Sequence, residues 1–498
     1  MKDSQKDKPV RASTAKSAST KKDPSEQKKE AGKLLKKQLQ VDFPNLWDKA
    51  TEEDHEQINT FAEDYKQFLD LGKTERSFVS VAVETLENMG FVPLESEERF
   101  SPGSKVYKSI RNKGIVAAVI GSKPAKEGFN LVGAHIDSPR LDLKPLPIYE
   151  DNELVFMKTH YYGGIKKYQW PAIPLAIHGI IFRTDGSPLT VKIGEDPSDP
   201  VFTITDLLPH LGTEQMGRKA TELIRGEDLN VLVSSIPYDE PELSGRFKLG
   251  LLQLLMKQYD LKEKDFVSAE IEIVPAGHAR DIGFDKSMIG AYGQDDRVCA
   301  FTALAALTSI ENPERTAVCL LFDKEEIGSE GNTGAQSRAY EYTLQELFVR
   351  SSDTGRSQLD FARMLSGCQM LSADVSAAYD PNYSSVYDSK NSSYLGHGMC
   401  LVKYVGARGK SGTSDANGEF FSRIVRVFDA ESIPWQTGEL GKVDAGGGGT
   451  VAVYLAGLGM EVIDCGVPVL SMHSPFEVTS KIDVYYTYVA YKTFFEKI

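Results

Sequence analysis

Short apolar runs bounded by glycine, proline or charge recur through this chain. They alternate with stretches in which apolar residues return at three- and four-residue steps, and no other feature narrows the fold so far. Residues 105–110, 114–121 and 128–133 read as strands, 297–307 as a helix and 315–322 as a buried strand; 366–374, 462–472 and 479–498 continue the alternation. Upstream, Phe61, Tyr65, Phe68 and Leu69, then Val79, Val83 and Leu86, mark two amphipathic helices between residues 43 and 90. Alternating elements of this kind predict an α/β fold with a mainly parallel central sheet flanked by helices. Between residues 142 and 280 the pattern changes to short alternating segments such as 174–183, 189–193 and 268–275. A β-rich insertion is expected there, splitting the main domain into 38–141 and 281–498.

Charge divides the 498-residue chain unevenly: residues 1–37 carry +7, so the remainder carries −21 of the net −14. Such an acidic body repels polyanions, which argues against nucleic-acid partners. The first 37 residues, rich in Lys, Ser, Ala and Thr, are expected to form a disordered basic tail. It could serve as an arm for an anionic partner or an organelle address, or simply as a solubilising extension. The longest uncharged runs, 168–182 and 445–460, are interrupted by Pro or Gly and fall short of the roughly 18 apolar residues of a membrane span. Cys299, Cys319, Cys368, Cys400 and Cys465 are scattered and odd in number, as expected of reduced, buried thiols in a cytoplasmic protein.

Open parallel sheets bind ligands at the carboxyl ends of their strands, so the polar residues that end apolar runs carry the functional information. The run 129–134 ends in His135-Ile136-Asp137, 315–322 in Asp323-Lys324-Glu325-Glu326, 369–373 in Asp374 and 467–472 in His473. Asp295-Asp296 directly precedes a helix. Imidazoles and carboxylates without cysteine suit a borderline-hard cation: zinc, with cobalt or manganese as alternatives. Two imidazoles and at least three carboxylates exceed the needs of one catalytic ion, but match two ions about 3.5–4 Å apart sharing a bridging carboxylate. Just past a strand end the successive side chains of Glu325 and Glu326 diverge. One can bind metal while the other takes a proton from a polarised water, so metal-assisted hydrolysis is the implied reaction class.

Each element also has a plainer reading. Asp295-Asp296 could cap a helix, Glu325-Glu326 could be a solvated loop, and a strand-end histidine is commonly a satisfied core residue. Their coincidence at the ends of separate buried strands favours the site. The Gly-rich segment 446–449, including Gly447 and Gly448, lacks the Gly-Lys-Ser/Thr ending of a phosphate-binding loop. It fits a flexible turn, or a loop whose bare amides approach a substrate.

Together the motifs Gly133-Ala134-His135-Ile136-Asp137-Ser138-Pro139-Arg140, Gly293-Gln294-Asp295-Asp296-Arg297, Asp323-Lys324-Glu325-Glu326-Ile327-Gly328-Ser329, Ser372-Ala373-Asp374 and Ser471-Met472-His473-Ser474 resemble the aspartyl aminopeptidase and aminopeptidase I family of cocatalytic zinc exopeptidases. The resemblance implies one metal held by His135 and Asp374 and a second by Glu326 and His473, with Asp295 bridging. It makes Glu325 the general base and has Asp137 orient His135. It also implies that the insertion is a dimerisation domain, that the protein self-associates into a homododecamer built from dimers, and that His210 reaches a neighbouring subunit's active site. Lys403-Tyr404 matches part of a substrate-pocket segment of acid-selective members; the residues after it do not, so preference for N-terminal Asp or Glu stands beside a neutral preference.

The expected function is release of N-terminal residues from peptides. A related metallohydrolase acting as a carboxypeptidase or deacylase is the nearest rival, and a non-enzymatic assembly protein with a relict metal site is a rival of another class.

Overall fold

The computed structural model describes residues 1, 24–352 and 357–498. Residues 45–498 form one compact unit, and Met1–Pro44 a separate one. Within the latter the expectation of disorder needs correction. Residues 2–23 lie outside the described residues, but Pro24–Leu39 is a helix. Its Glu, Lys, Leu and Ala are strong helix formers, with Glu26 in the first turn and Lys36 and Lys37 in the last, complementing the helix dipole.

In the main unit a nine-stranded sheet runs in the order Val92–Pro93, Lys105–Ser109, Ile115–Val119, Ala317–Phe322, Asn130–His135, Gln369–Ala373, Glu461–Gly466, Met399–Val402, Trp435–Thr437. The four strands from Ala317–Phe322 to Glu461–Gly466 are mutually parallel, whereas Ile115–Val119 and Met399–Val402 pair with this group antiparallel. Side chains alternate between the two faces of the sheet, as the pleat requires. Val132, Ala134, Cys319, Leu321, Leu371 and Ile463 join one buried core with the helices Glu52–Leu71, Gln294–Thr308 and Lys481–Lys497. Leu131, Val318, Leu320, Met370 and Val462 face a second core with Arg338–Ser351 and Gln358–Ser366. Burying each such side chain stabilises the fold by about 1.5–3 kcal/mol over leaving it in water. The two expected N-terminal helices are Glu52–Leu71 and Glu75–Asn88, each begun by a threonine capping box.

The segment read as a β-rich insertion builds an antiparallel six-stranded sheet, ordered Pro188–Ile193, Leu175–Phe182, Glu270–Pro275, Arg140–Asp151, Leu154–Tyr162, Val231–Ser234. It has its own core around the fully buried Trp170. It also contains a helix that the sequence reading did not anticipate, Arg246–Tyr259, whose Leu-rich composition blurs the three- and four-residue spacing. A third sheet, of five strands, includes Met288–Ala291, Glu477–Ser480 and Pro468–Leu470.

Candidate metal centre

Parallel pairing brings the carboxyl ends of the central strands to one edge of the sheet. His135 ends its strand level with Phe322, so Glu325 and Glu326, three and four residues on, emerge beside it. Ser372 pairs with Gly133, which puts Asp374 at the same height on the other side. Asp295 enters from the start of the Gln294–Thr308 helix, where the backbone is not yet helical, and His473 from the turn between Pro468–Leu470 and Glu477–Ser480.

The five candidate ligands converge. Asp295 is central: Oδ1 lies 3.2 Å from His135 Nε2 and Oδ2 lies 3.2 Å from His473 Nε2. His135 Nε2 also faces Asp374 Oδ1 at 3.8 Å, and His473 Nε2 faces Glu326 Oε1 at 3.5 Å. The opposite ring nitrogens point away: His135 Nδ1 meets the Asp137 carbonyl at 3.0 Å, and His473 Nδ1 meets the Gly164 carbonyl at 2.9 Å. A carbonyl accepts only, so each Nδ1 donates, which turns both Nε2 atoms toward the carboxylates. Asp137 does more than orient His135. It also accepts from the peptide N–H groups of Glu325 and Glu326, at 3.1 and 3.2 Å, and from the Tyr162 hydroxyl at 2.8 Å.

The electrostatics describe a site short of positive charge. Burial holds Glu326 and Asp374 well above the usual carboxylate range, with Asp295 adding to the rise in each. Glu325 is pushed up to about 7 by burial and the neighbouring Asp137 and Asp295. Burial opposes charge on His473, but Asp295 and Glu326 outweigh it and lift the imidazole to about 11. Glu326 Oε1 is buried without a hydrogen bond. Acids crowded until they retain protons, with imidazoles that gain them, are what a cluster built around cations becomes when protons take the cations' place. The donor set, nitrogen and carboxylate oxygen without sulfur, fits zinc. His135, Asp295 and Glu326 have donor atoms close enough to share one ion, and so do His135, Asp296 and Asp374. Asp296, set aside in the sequence reading in favour of Asp295, thus lies within reach of the centre.

A cleft of about 890 Å³ opens over these residues, and Glu325, Gly447 and Gly448 line it. Lys403 and Tyr404 are not among its lining residues. The Lys403 ammonium binds Asp415 and the Ala416 carbonyl, and the Tyr404 hydroxyl donates to Glu439. The sequence reading placed both beside the substrate, but local partners in their own loop and its neighbour engage their polar ends. His210 sits on an exposed loop of the β-rich segment and is likewise absent from the lining of its own chain's cleft.

Other contributors escaped the sequence reading. Gly163 and Gly164 follow the Leu154–Tyr162 strand and press against the ligands. A Cβ on Gly163, whose φ is +73°, would lie 3.1 Å from Glu326 Oε2, and one on Gly164 would lie 3.2 Å from His473 Nδ1. A glycine doublet closing a strand was the available signal. Glu477 and Tyr162 gave none, since no local pattern around either marks a role at the site.

A family model described as aminopeptidase I zinc metalloprotease (M18) matches residues 68–495. A Clostridium acetobutylicum protein named "Probable M18 family aminopeptidase 1" is 48% identical over 460 residues, which span 92% of this chain and 98% of that protein. The crystal structure of an M18-family aminopeptidase from Thermotoga maritima matches with a TM-score of 0.88 at 46% identity, covering 92% of this chain and 100% of that one. That of aminopeptidase I from Clostridium acetobutylicum gives 0.85 at 46% identity, with the same coverage. This chain therefore belongs to the M18 family of zinc aminopeptidases.

Proposed function

We propose that the cluster holds two divalent ions, zinc in the first instance, one between His135 and Asp374 and the other between Glu326 and His473, with Asp295 shared. The placing of Asp295, with one carboxylate oxygen toward each imidazole, is the observation that carries this reading. Bound there, the ions would polarise the scissile carbonyl and acidify the attacking water.

The chain's own groups supply the rest. Glu325 lines the cleft and bears a carboxyl lifted toward neutrality, which suits a group that takes the proton of the attacking water and passes it to the departing amine. Asp137 fixes the peptide N–H groups of Glu325 and Glu326, so base and ligand are aimed by one anchor. Water adds to the carbonyl carbon, the C–N bond breaks, and a free amino acid and a shortened peptide leave.

The six-stranded sheet serves as a dimerisation module in this reading. His210, on its exposed loop among the exposed Leu207, Leu208 and Leu211, reaches the cleft of a second copy. Yeast mApe1, 22% identical, has been solved as a dodecamer, and a homododecamer built from dimers is the assembly proposed here. Five buried free cysteines accord with a reducing, cytoplasmic setting. The Lys403 ammonium is held by Asp415 and the Tyr404 hydroxyl by the cleft-lining Glu439, and the reading is release of N-terminal residues without a fixed acidic preference.

The test compares peptides with free and acetylated N-termini under defined zinc loading. Cleavage of the free-amine series alone is expected; equal cleavage of the blocked series would favour a deacylase or an endopeptidase-like enzyme.

A further inference from the structure

Glu477 opens the Glu477–Ser480 strand and is 1% exposed. A buried carboxylate at a strand position needs partners that repay its lost hydration. Its two oxygens divide between two peptide groups: Oε1 accepts the His473 N–H at 2.7 Å and Oε2 accepts the Asp295 N–H at 3.0 Å. One side chain thus ties together the backbones of two residues that face each other across the centre but lie far apart in sequence. Both attachments matter locally. His473 has φ of 65°, a left-handed conformation that a non-glycine residue adopts only where its surroundings hold it. The Asp295 backbone departs from the helix whose first turn it occupies. Gln294 adds a brace by donating to the carbonyls of Ile289 and Glu477, at 3.1 and 2.7 Å.

We infer that Glu477 is a positioning residue that sets the spacing between Asp295 and His473 and so governs chiefly the affinity of the ion at Asp295, Glu326 and His473, because the ion at His135 and Asp374 depends on only one of the two residues it ties. The inference rests on the two-ion reading above. Aligned donors pre-set for an ion bind it more tightly than donors that must be gathered at the moment of binding. Glutamine at 477 can accept only one of the two N–H groups, since its amide nitrogen would confront the other; aspartate keeps the charge but is too short to reach both.

The test is a zinc titration of the full chain, read as bound ions per chain, on the wild type, Glu477→Gln and Glu477→Asp, with thermal melting recorded in parallel. Two ions are expected on the wild type. In both variants the second ion, at Glu326 and His473, should be weakened tenfold or more and the first by less, and peptidase activity should recover as zinc is raised. Should Glu477→Gln fail to fold, Glu477→Asp carries the comparison. A two-ion wild type with unchanged second-ion affinity in the variants overturns the inference alone, and a fall in melting temperature without that change would assign Glu477 a merely structural role. A wild type that binds a single ion overturns the two-ion reading, and the inference with it.

Discussion

Two clusters of buried carboxylates lie close together in this molecule and meet different counter-charges. In the first, Arg140 reaches Asp142 at 2.8 Å, Glu75 at 3.2 Å and Glu272 at 3.4 Å, and its guanidinium stacks 4.0 Å over the Tyr162 ring. Burial disfavours charge on Glu75, yet Arg140 and Lys113 outweigh it and hold the acid below its ordinary range, whereas at Glu272 burial prevails over Arg140 and drives the acid up. In the second, the positive partners of Asp295, Glu325, Glu326 and Asp374 among the described residues are two imidazoles, and three of the four acids are driven upward. Tyr162 touches both, since its ring carries Arg140 and its hydroxyl binds Asp137. The cluster with a resident guanidinium keeps its counter-charge within the chain; the one beside imidazoles is, in the proposed reading, a seat for cations that come from solution.

The comparison is broken most severely at Glu325. Glu325→Gln should lower kcat by about 10²–10⁴-fold while the bound zinc remains, measured by steady-state peptide hydrolysis together with metal analysis. Activity near wild type would remove Glu325 as the base.

In the other cluster, Arg140→Met leaves buried acids without their cation. Urea unfolding should show a loss of about 3–5 kcal/mol, the cost of breaking a buried ion pair from one side. Zinc content per folded chain should be little changed; parallel loss of zinc would mean that the two clusters are one system.

Acid sharpens the distinction further. Glu195 binds Lys73 at 2.7 Å and His178 at 2.8 Å, and although burial opposes ionisation these partners lower the carboxyl to about 2. A depressed folded-state pKa means that this contribution to stability is complete above the ordinary value of 4.5 and is lost as pH falls from there toward 2. Glu195→Gln should therefore flatten the stability profile across that window, read by thermal melts at successive pH values, and leave the neutral-pH zinc count alone.

Least should follow from Lys403→Ala. Its ammonium meets Asp415 at 3.1 Å with both side chains about half exposed, a pairing worth about 1 kcal/mol or less. A change in kcat/KM confined to acidic N-termini would return Lys403 to the substrate pocket.

Much of this was legible in the sequence because the central strands are short apolar runs whose ends fall in register. The runs ending at His135, Phe322 and Ala373 announced the elements and the places of the candidate ligands. Helix Arg246–Tyr259 was hidden by leucines on several faces, and helix Pro24–Leu39 by a lysine content that reads as tail. Within the site, the candidate ligands were visible because their residue types are rare at buried strand ends. Their supports were not. Glu477, Tyr162 and Gly164 act through tertiary hydrogen bonds whose partners lie up to 309 residues away, and no local pattern encodes these. Lys403-Tyr404 shows a related limit: a dipeptide records residue type but not the loop conformation that pairs it with Asp415 and Glu439.

The claim on which the account turns is that the strand-end cluster is a seat for two cations. Crystals of the zinc-loaded protein, measured on either side of the zinc absorption edge, test it directly. Two anomalous peaks are predicted per chain, one contacting His135 and Asp374, the other contacting Glu326 and His473, with Asp295 touching both. A single peak, or peaks away from these side chains, would contradict it.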